Sequence, residues 1–296
     1  MTRHLEVLRS GPLTTVQDLG RFGHRAAGVS PSGAADLGAM ARANALVGNP
    51  AGAAVLEATF GGVSLRALDA MRIAVTGATC AGVVMESAFE VDRDDTVSLD
   101  GAAAGIRSYI AVAGGIDVPP VLGSRSTDTL SGLGPEPLRR ADLLPVGPVI
   151  DAGPAASPAR SAPAPDLPGA GFDLAVERGP RDDWLPEETW AALAAGDISW
   201  EVSPESNRVA MRLRGAPLAV RARSLPPEPL VRGAVQVPPD GRPIVFLADH
   251  PVTGGYPVVA VLTSSSCDLA AQCRPGASVR LLSAHVDHDR AARAPR

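Results

Sequence analysis

The stretch IVFLADHPVTGGYPVVAVL, residues 244–262, contains two apolar runs separated by a polar loop. Each run has the length and composition of a buried strand, and the paired glycines suit a turn between them. A hairpin needs only the glycines, yet the loop also carries an acid, a hydroxyl and a tyrosine. Loops between rigid strands often carry binding groups. The stretch therefore predicts a β protein with a ligand-facing loop formed by Asp249, Thr253, Gly254, Gly255 and Tyr256.

Short β-like runs recur along the whole chain, separated by Gly, Pro or Asp turns. Helices are expected at about 34–47, with Ser32 able to cap the start and Gly48 ending it, and near 266–273. This pattern predicts a mainly β fold with a few short helices and two β-barrel-like domains, and it does not suit βαβ units. The runs are 63–68, 71–78, 96–100, 106–115, 172–179, 197–203, 209–215, 217–222, 233–237, 243–249, 256–262 and 278–284.

One segment divides the chain nearly in half. Residues 149–171 are rich in Pro and Ala and show no apolar period, which indicates a semi-extended linker. The predicted organisation is therefore an N-terminal β-rich domain over 1–148, the linker over 149–171, and a C-terminal domain over 172–296.

Charge and composition exclude several partner classes. The net charge of −5 argues against nucleic acid or an anionic membrane as the main partner. The sequence lacks an apolar run of about 18 residues, which a membrane helix needs, and the opening MTRHLEVLRSG does not resemble a secretory signal. The three cysteines have no metal-ligand spacing. We expect a cytoplasmic protein without membrane or nucleic-acid contacts.

The chain contains no lysine, because all 27 of its Lys and Arg residues are arginine. It therefore cannot supply a Walker A lysine, a Schiff-base lysine or a lysine that carries biotin or lipoate. No covalent cofactor is expected on this chain. If the protein uses ATP or biotin, another chain must supply those parts.

The densest polar cluster lies in residues 14–36. Arg21 and Arg25 have the bidentate geometry that suits carboxylate or phosphate groups. A solvated loop followed by a helix cap explains the composition equally well, so spacing alone leaves both interpretations open. The other candidates in this cluster are Gln17, Asp18, His24, Ser30, Ser32 and Asp36.

Further candidates are more scattered. Asn207 and Arg208 stand where a loop becomes a strand, and they suit an anion site or an ordinary strand face. Arg125 lies in the polar run 124–128, for which a surface turn is the better interpretation. Asp249 is favoured over His250 because neighbouring strand residues point to opposite faces. No metal site is expected, since the His285, Asp287 and His288 group lies in an Arg- and Ala-rich tail.

Six blocks of the sequence, in order from about 7 to 282, resemble the family called allophanate hydrolase subunit 2. This family is also named for the C component of 5-oxoprolinase or as the biotin-dependent carboxyltransferase family. The blocks are TVQDLGRFGHRAAGVSPSGAAD, ANALVGNPAGAAVLEATFGG, YIAVAGGIDVPPVLGSRSTDTLSGLG, SNRVAMRLRG, GAVQVPPDGRPIVFLADHPVTGGYP and LAAQCRPGASV.

The resemblance implies cyclophilin-like β-barrel domains and a hetero-oligomer with the B and A components of the same system, inactive without them. It implies ATP-dependent opening of 5-oxoproline to glutamate, with a small anionic or amide substrate. A carboxyltransferase acting on urea or another amide, with biotin on another chain, is the alternative. A non-catalytic role opposing a kinase inhibitor is a third. The substrate, the stoichiometry and the individual catalytic roles are left open.

The resemblance also assigns residues by matching positions. It suggests Asp249, Arg208 and Asp18 as catalytic residues, while Pro251 and Val252 replace polar residues usual in the family. Arginines would hold a carboxylate or phosphate. The expected substrate-binding residues are Gln17, Arg21, Ser32, Gly33, Asp36, Arg125, Asn207, Thr253, Gly254, Gly255 and Tyr256.

Overall fold

A computed structural model describes residues 3–149, 167, 171–221 and 224–284. The chain divides into two compact units, which we call unit 1 (Met1–Gly23 and Pro31–Leu167) and unit 2 (His24–Ser30 and Pro168–Arg296). Most of the predicted linker, residues 150–166 and 168–170, lies outside the described residues, as do His285, Asp287 and His288.

Unit 1 is built from two antiparallel sheets and one helix. The four-stranded sheet has the order β7-β4-β1-β9, and the five-stranded sheet has the order β2-β3-β8-β5-β6. The elements are β1 (Arg3–Ser10), β2 (Leu13–Gln17), α1 (Leu37–Val47), β3 (Val55–Thr59), β4 (Val63–Ala67), β5 (Met71–Cys80), β6 (Ser87–Val91), β7 (Thr96–Ser98), β8 (Ala102–Val112) and β9 (Leu143–Val146).

The core of unit 1 follows from the two-residue period of its strands. Leu5 of β1 and Leu65 of β4 meet Ile73 of β5 in one fully buried cluster. The intervening residue Ala74 points to the opposite face of the five-stranded sheet, where Met40 of α1 packs in a second cluster. The five-stranded sheet is therefore covered on both faces.

Helix α1 begins three residues later than the sequence predicts. Its N-cap is Asp36, whose carboxylate accepts a hydrogen bond from the Ala39 N–H at 2.8 Å. Ser32 is not the cap, because it lies four residues before the cap position and has a positive φ of 55°. Gly48 ends the helix in the left-handed region at φ 80°, as predicted.

Unit 2 contains a closed seven-stranded barrel with the strand order β10-β17-β14-β15-β12-β11-β18, in which β18 returns to β10 as a parallel pair. The elements are β10 (Gly171–Arg178), α2 (Glu187–Ala195), β11 (Ser199–Val202), β12 (Ala210–Gly215), β13 (Glu228–Pro229), β14 (Ala234–Gln236), β15 (Ile244–Phe246), β16 (Thr253–Gly254), β17 (Val258–Leu262), α3 (Ser264–Ala270) and β18 (Ser278–Ser283).

Alternation along the barrel strands separates an inner from an outer layer. Met211, Leu213 and Val245 belong to the main core of unit 2. Ala210 and Phe246, which alternate with them, belong to a separate apolar cluster on the other side of the strands. The outer face of the barrel is therefore apolar at this position.

The predicted fold class is confirmed. The described residues are mainly β, with the three helices α1–α3 and a closed barrel. Two local predictions are wrong. Residues 217–221 form no strand, since Leu218 donates its N–H to the Gly241 carbonyl at 2.8 Å. Helix α2 was not predicted, although two glutamates open it and Gly196 closes it at φ 76°.

Candidate functional site

Asp18 lies immediately after β2 and binds the loop at 124–126. Its carboxylate accepts hydrogen bonds from the hydroxyls of Ser124 at 2.6 Å and Ser126 at 2.5 Å. It also accepts from the backbone N–H groups of Arg125 at 2.6 Å and Gly20 at 2.8 Å. Four donors occupy the carboxylate, so this geometry suits a residue that positions the loop. Its predicted catalytic role remains a prediction.

Arg21 is 1% exposed, and one of its terminal nitrogens donates to the Ser126 carbonyl. Its Nε and Nη1 atoms are buried and have no hydrogen-bond partner among the described residues. A buried guanidinium with unsatisfied donors and no counter-ion is costly, so an anion placed there would be stabilised strongly. Arg21 therefore has the chemistry of an anion-binding residue.

Gln17 and Ser32 contact the same loop as Arg21. The Gln17 amide donates to the Thr127 carbonyl at 2.9 Å, and the Ser32 hydroxyl donates to that carbonyl at 3.3 Å. The Oε1 atom of Gln17 is buried without a partner among the described residues. Gly33 has φ 96°, and a Cβ there would lie 2.9 Å from the Leu19 carbonyl. These residues therefore converge around the backbone at 126–127.

Asp36 differs from the rest of the first cluster because its side chain caps α1. The Asp36 N–H donates to the Tyr109 hydroxyl at 2.7 Å, and that hydroxyl donates to Glu57 at 2.8 Å. Glu57 also pairs with Arg107 at 3.6 Å, and both side chains are buried. Burial, together with the Glu57 carboxylate, raises the pKa of Tyr109 well above its ordinary value. This network stabilises the junction between α1 and the five-stranded sheet.

Arg125 already has partners. Its Nε donates to the Val118 carbonyl at 2.7 Å and its Nη2 donates to Asp117 at 2.6 Å. The guanidinium is 35% exposed in this pair. Its contribution to the loop comes through its backbone N–H, which binds Asp18.

In unit 2, Arg208 and Asp249 form a buried bidentate ion pair. Nε and Nη2 of Arg208 donate to the two carboxylate oxygens at 2.9 and 3.0 Å, and the side chains are 1% and 0% exposed. The pair forms because Arg208 precedes β12 and Asp249 follows β15, and these strands are antiparallel neighbours. The Asp249 N–H also donates to the Arg208 carbonyl at 3.1 Å.

Asn207 shapes the turn that precedes β12. Its side-chain oxygen accepts from the N–H groups of Val209 at 2.8 Å and Ala210 at 3.2 Å. The neighbouring His250 is 2% exposed, and its Nδ1 lies 2.8 Å from the Pro251 carbonyl. Asn207 therefore positions Arg208, and its role as a ligand contact remains a prediction.

The loop at 253–256 is short and mostly exposed. Thr253 and Gly254 form β16, which pairs with β13. Gln236 of β14 donates to the Tyr256 carbonyl at 2.7 Å, and a Cβ at Gly254 would lie 2.6 Å from the Gln236 amide nitrogen. The glycine is required because the loop packs directly on this amide. The Tyr256 side chain is 44% exposed.

The predicted site residues thus form two clusters. Unit 1 brings together Gln17, Asp18, Arg21, Ser32, Gly33 and Arg125, whereas unit 2 brings together Asn207, Arg208, Asp249 and the loop at 253–256. Sequence reasoning missed Gln236, and it assigned no role to the serine hydroxyls that bind Asp18. The polar run at 124–128 was the available signal for those serines. Among the described residues, no group of three or more His, Cys, Asp or Glu could hold a metal ion.

Comparison with known proteins identifies the family. A model described as "Carboxyltransferase domain, subdomain A and B" matches residues 27–283. The chain belongs to this carboxyltransferase family. It is similar to the C component of 5-oxoprolinase from Escherichia coli, with 34% identity over 96% of this chain and 92% of that protein. It is also similar to urea amidolyase of Lachancea kluyveri, with 31% identity over 94% of this chain and 17% of that protein.

Two solved structures share the fold of this carboxyltransferase-family chain. The crystal structure of TTHA0988 matches with a TM-score of 0.82, 34% identity and coverage of 95% of this chain and 56% of that one. The K. lactis urea amidolyase matches with a TM-score of 0.86, 29% identity and coverage of 95% and 18%. This chain therefore spans about half of the first structure and under a fifth of the second. No helix of the described residues is long and apolar enough to cross a membrane.

Proposed function

We propose that this chain is the C component of an ATP-dependent 5-oxoprolinase and acts with separate A and B components. Supporting this is the similarity to the C component of 5-oxoprolinase from Escherichia coli, which extends over 92% of that protein. In the proposed reaction, 5-oxoproline, ATP and water give glutamate, ADP and phosphate. Because the chain lacks lysine, its contacts to anionic groups must come from arginine side chains or backbone N–H groups.

The observation that carries the proposal is the unpaired chemistry of Arg21. Among the three arginines predicted to hold an anion, Arg208 is neutralised by Asp249 and Arg125 is bound by Asp117. Arg21 donates to a neutral carbonyl and keeps two nitrogens without acceptors among the described residues. The carboxylate of 5-oxoproline would supply both the negative charge and the acceptors. We assign Arg21 as the residue that binds this carboxylate.

Asp18 and Gln17 have supporting roles in this proposal. Asp18 holds the loop at 124–126 through its four hydrogen bonds, and this loop provides the carbonyl that orients Arg21. Gln17 holds the next carbonyl, at Thr127, and keeps an unsatisfied amide oxygen that can accept a hydrogen bond from the lactam N–H. An anion at Arg21 and an N–H donor at Gln17 are both features of 5-oxoproline.

The test is glutamate formation by the complex purified after coexpression with the chains encoded beside it. We expect glutamate only when both ATP and 5-oxoproline are present. Arg21→Ala should lower kcat/KM at least about 100-fold, which corresponds to about 2.7 kcal/mol, because a charge-assisted pair is lost. Arg125→Ala is the matched control and should change kcat/KM only a few-fold. Equal effects of the two substitutions would contradict the assignment of Arg21.

A second function is favoured by the urea amidolyase relatives and by the carboxyltransferase description of the family. In that case the chain would transfer a carboxyl group to urea or another amide from biotin carried on a separate protein. A stable complex that forms no glutamate, but carboxylates urea when a biotinylated carrier is supplied, would establish this function. A stable complex with neither activity would support a regulatory binding role.

A further inference from the structure

The outer face of the unit 2 barrel carries a large cleft that none of the predicted catalytic residues line. The cleft has a volume of about 810 Å³, within the range of small-molecule sites. Its floor is formed by Ala210, Ile244 and Phe246 from β12 and β15. These residues belong to or pack against the outer apolar cluster, so the floor is apolar and lies on regular strands.

Arginine side chains line the polar part of this cleft. Arg214 pairs with Glu205 at 3.1 Å, and Arg242 lies 4.0 Å from Asp240. Arg212 makes no side-chain hydrogen bond or ion pair with a described residue, although its backbone N–H is bonded. Three guanidinium groups therefore face two carboxylates. The excess positive charge, at an unpaired arginine, favours an anionic ligand.

A smaller apolar cavity adjoins the cleft and shares two of its lining residues, Pro238 and Tyr256. Its volume is about 230 Å³, and Trp184, Leu218 and Pro257 line it. Tyr256 is 44% exposed, so its ring stands between the charged cleft and the apolar cavity. One side of Tyr256 thus suits anionic groups, and the other suits a flat apolar ring.

We infer that these two adjoining cavities together form a binding site for a nucleotide-class ligand. The phosphates would lie in the cleft beside Arg212, and the base would lie in the apolar cavity beside Trp184 and Tyr256. Arginine binds phosphate oxygens well, and aromatic rings stack on bases. The inference rests on unit 2 alone and does not depend on Arg21, although the proposed reaction consumes a nucleotide.

The test is isothermal titration calorimetry of the full chain, without partner chains, against ATP, tripolyphosphate and adenosine. We expect saturable ATP binding with a Kd below about 1 mM. Arg212→Ala should weaken ATP binding about tenfold or more, because one charge-assisted contact is lost. Tyr256→Ala should weaken ATP and adenosine together. Arg72→Ala, which alters an exposed arginine of β5 in unit 1, is the control and should bind ATP normally.

Trp184 provides an independent readout, since it lines the proposed base pocket. ATP should change the tryptophan fluorescence, whereas tripolyphosphate should not. No saturable ATP binding, or unchanged affinity in Arg212→Ala, would overturn the inference. Tripolyphosphate that binds as tightly as ATP would also overturn it, because the base would then contribute nothing. Glutamate formation by a complex whose C component fails to bind ATP would remove this site and leave the proposed function standing.

Discussion

Removing one partner of the Arg208–Asp249 ion pair should destabilise unit 2 far more than removing both. Each side chain is at most 1% exposed, and the two are joined by hydrogen bonds of 2.9 and 3.0 Å. Arg208→Met leaves a buried carboxylate, and Asp249→Leu leaves a buried guanidinium. Either should cost about 3–5 kcal/mol, whereas the double variant buries no net charge and should cost far less than the sum.

The chain has a built-in probe for this measurement. Its three tryptophans, Trp184, Trp190 and Trp200, all lie in unit 2, so tryptophan fluorescence during urea unfolding reports on this unit. With a slope of about 1–3 kcal/mol per molar urea, a loss of 4 kcal/mol, in the middle of the range about 3–5 kcal/mol, lowers the midpoint by about 1–4 M. That shift is a large part of a total stability of about 5–15 kcal/mol.

Two results would refute this reasoning. Single variants that each lose under about 1 kcal/mol would show that water reaches the pair and screens it. A double variant that loses the full sum would show that the two side chains do not interact energetically. The double variant also separates stability from chemistry. If it folds but the complex no longer forms glutamate, Arg208 or Asp249 acts in the reaction, and if activity persists, the pair is structural.

Three further predictions concern glycine geometry, pH and thiols. Gly20→Ala should cost about 1–3 kcal/mol more than Gly23→Ala, measured by circular dichroism during urea unfolding. Both glycines have positive φ, but a Cβ at Gly20 would lie 2.6 Å from the Pro31 carbonyl, whereas a Cβ at Gly23 meets nothing within 4 Å. Because burial raises the pKa of Tyr109, its effect on stability is complete below about pH 10 and is lost as the pH rises. In a Tyr256→Phe background, tyrosinate absorbance should therefore appear together with unfolding, and a rise before unfolding would contradict the buried geometry. A thiol reagent should label no cysteine in the native chain and three after unfolding, since Cys80, Cys267 and Cys273 are all buried.

Local pattern was sufficient for much of the fold. In β12, Met211 and Leu213 point into the barrel core, while Arg212 and Arg214 are exposed, as the two-residue period predicts. The end of α1 at Gly48 follows from glycine's tolerance of positive φ. Such features depend on residues close together in sequence, so they can be read without tertiary structure.

The contacts that define the site lie beyond local pattern. Asp18 binds Ser124 and Ser126 across separations of 106 and 108 residues, and no periodicity encodes such a pairing. Glu57 was expected to pair with an arginine of the first cluster, but it pairs with Arg107, its neighbour across β3 and β8. Sequence reasoning identified the charged residues but could not assign their partners, because partner choice depends on strand register.

Partner choice also changes how the arginines of this lysine-free chain should be interpreted. In the sequence, Arg21, Arg125 and Arg208 are equivalent candidates for an anion site. In the structure, a carboxylate neutralises Arg208 and another binds Arg125, while Arg21 contacts only an uncharged carbonyl among the described residues. A guanidinium already paired in a buried bidentate geometry gains little from a second anion, since it must first give up the bonds it has. Unsatisfied donors at a buried cation therefore identify a ligand-binding arginine better than motif position does, and this places Arg21 ahead of Arg208.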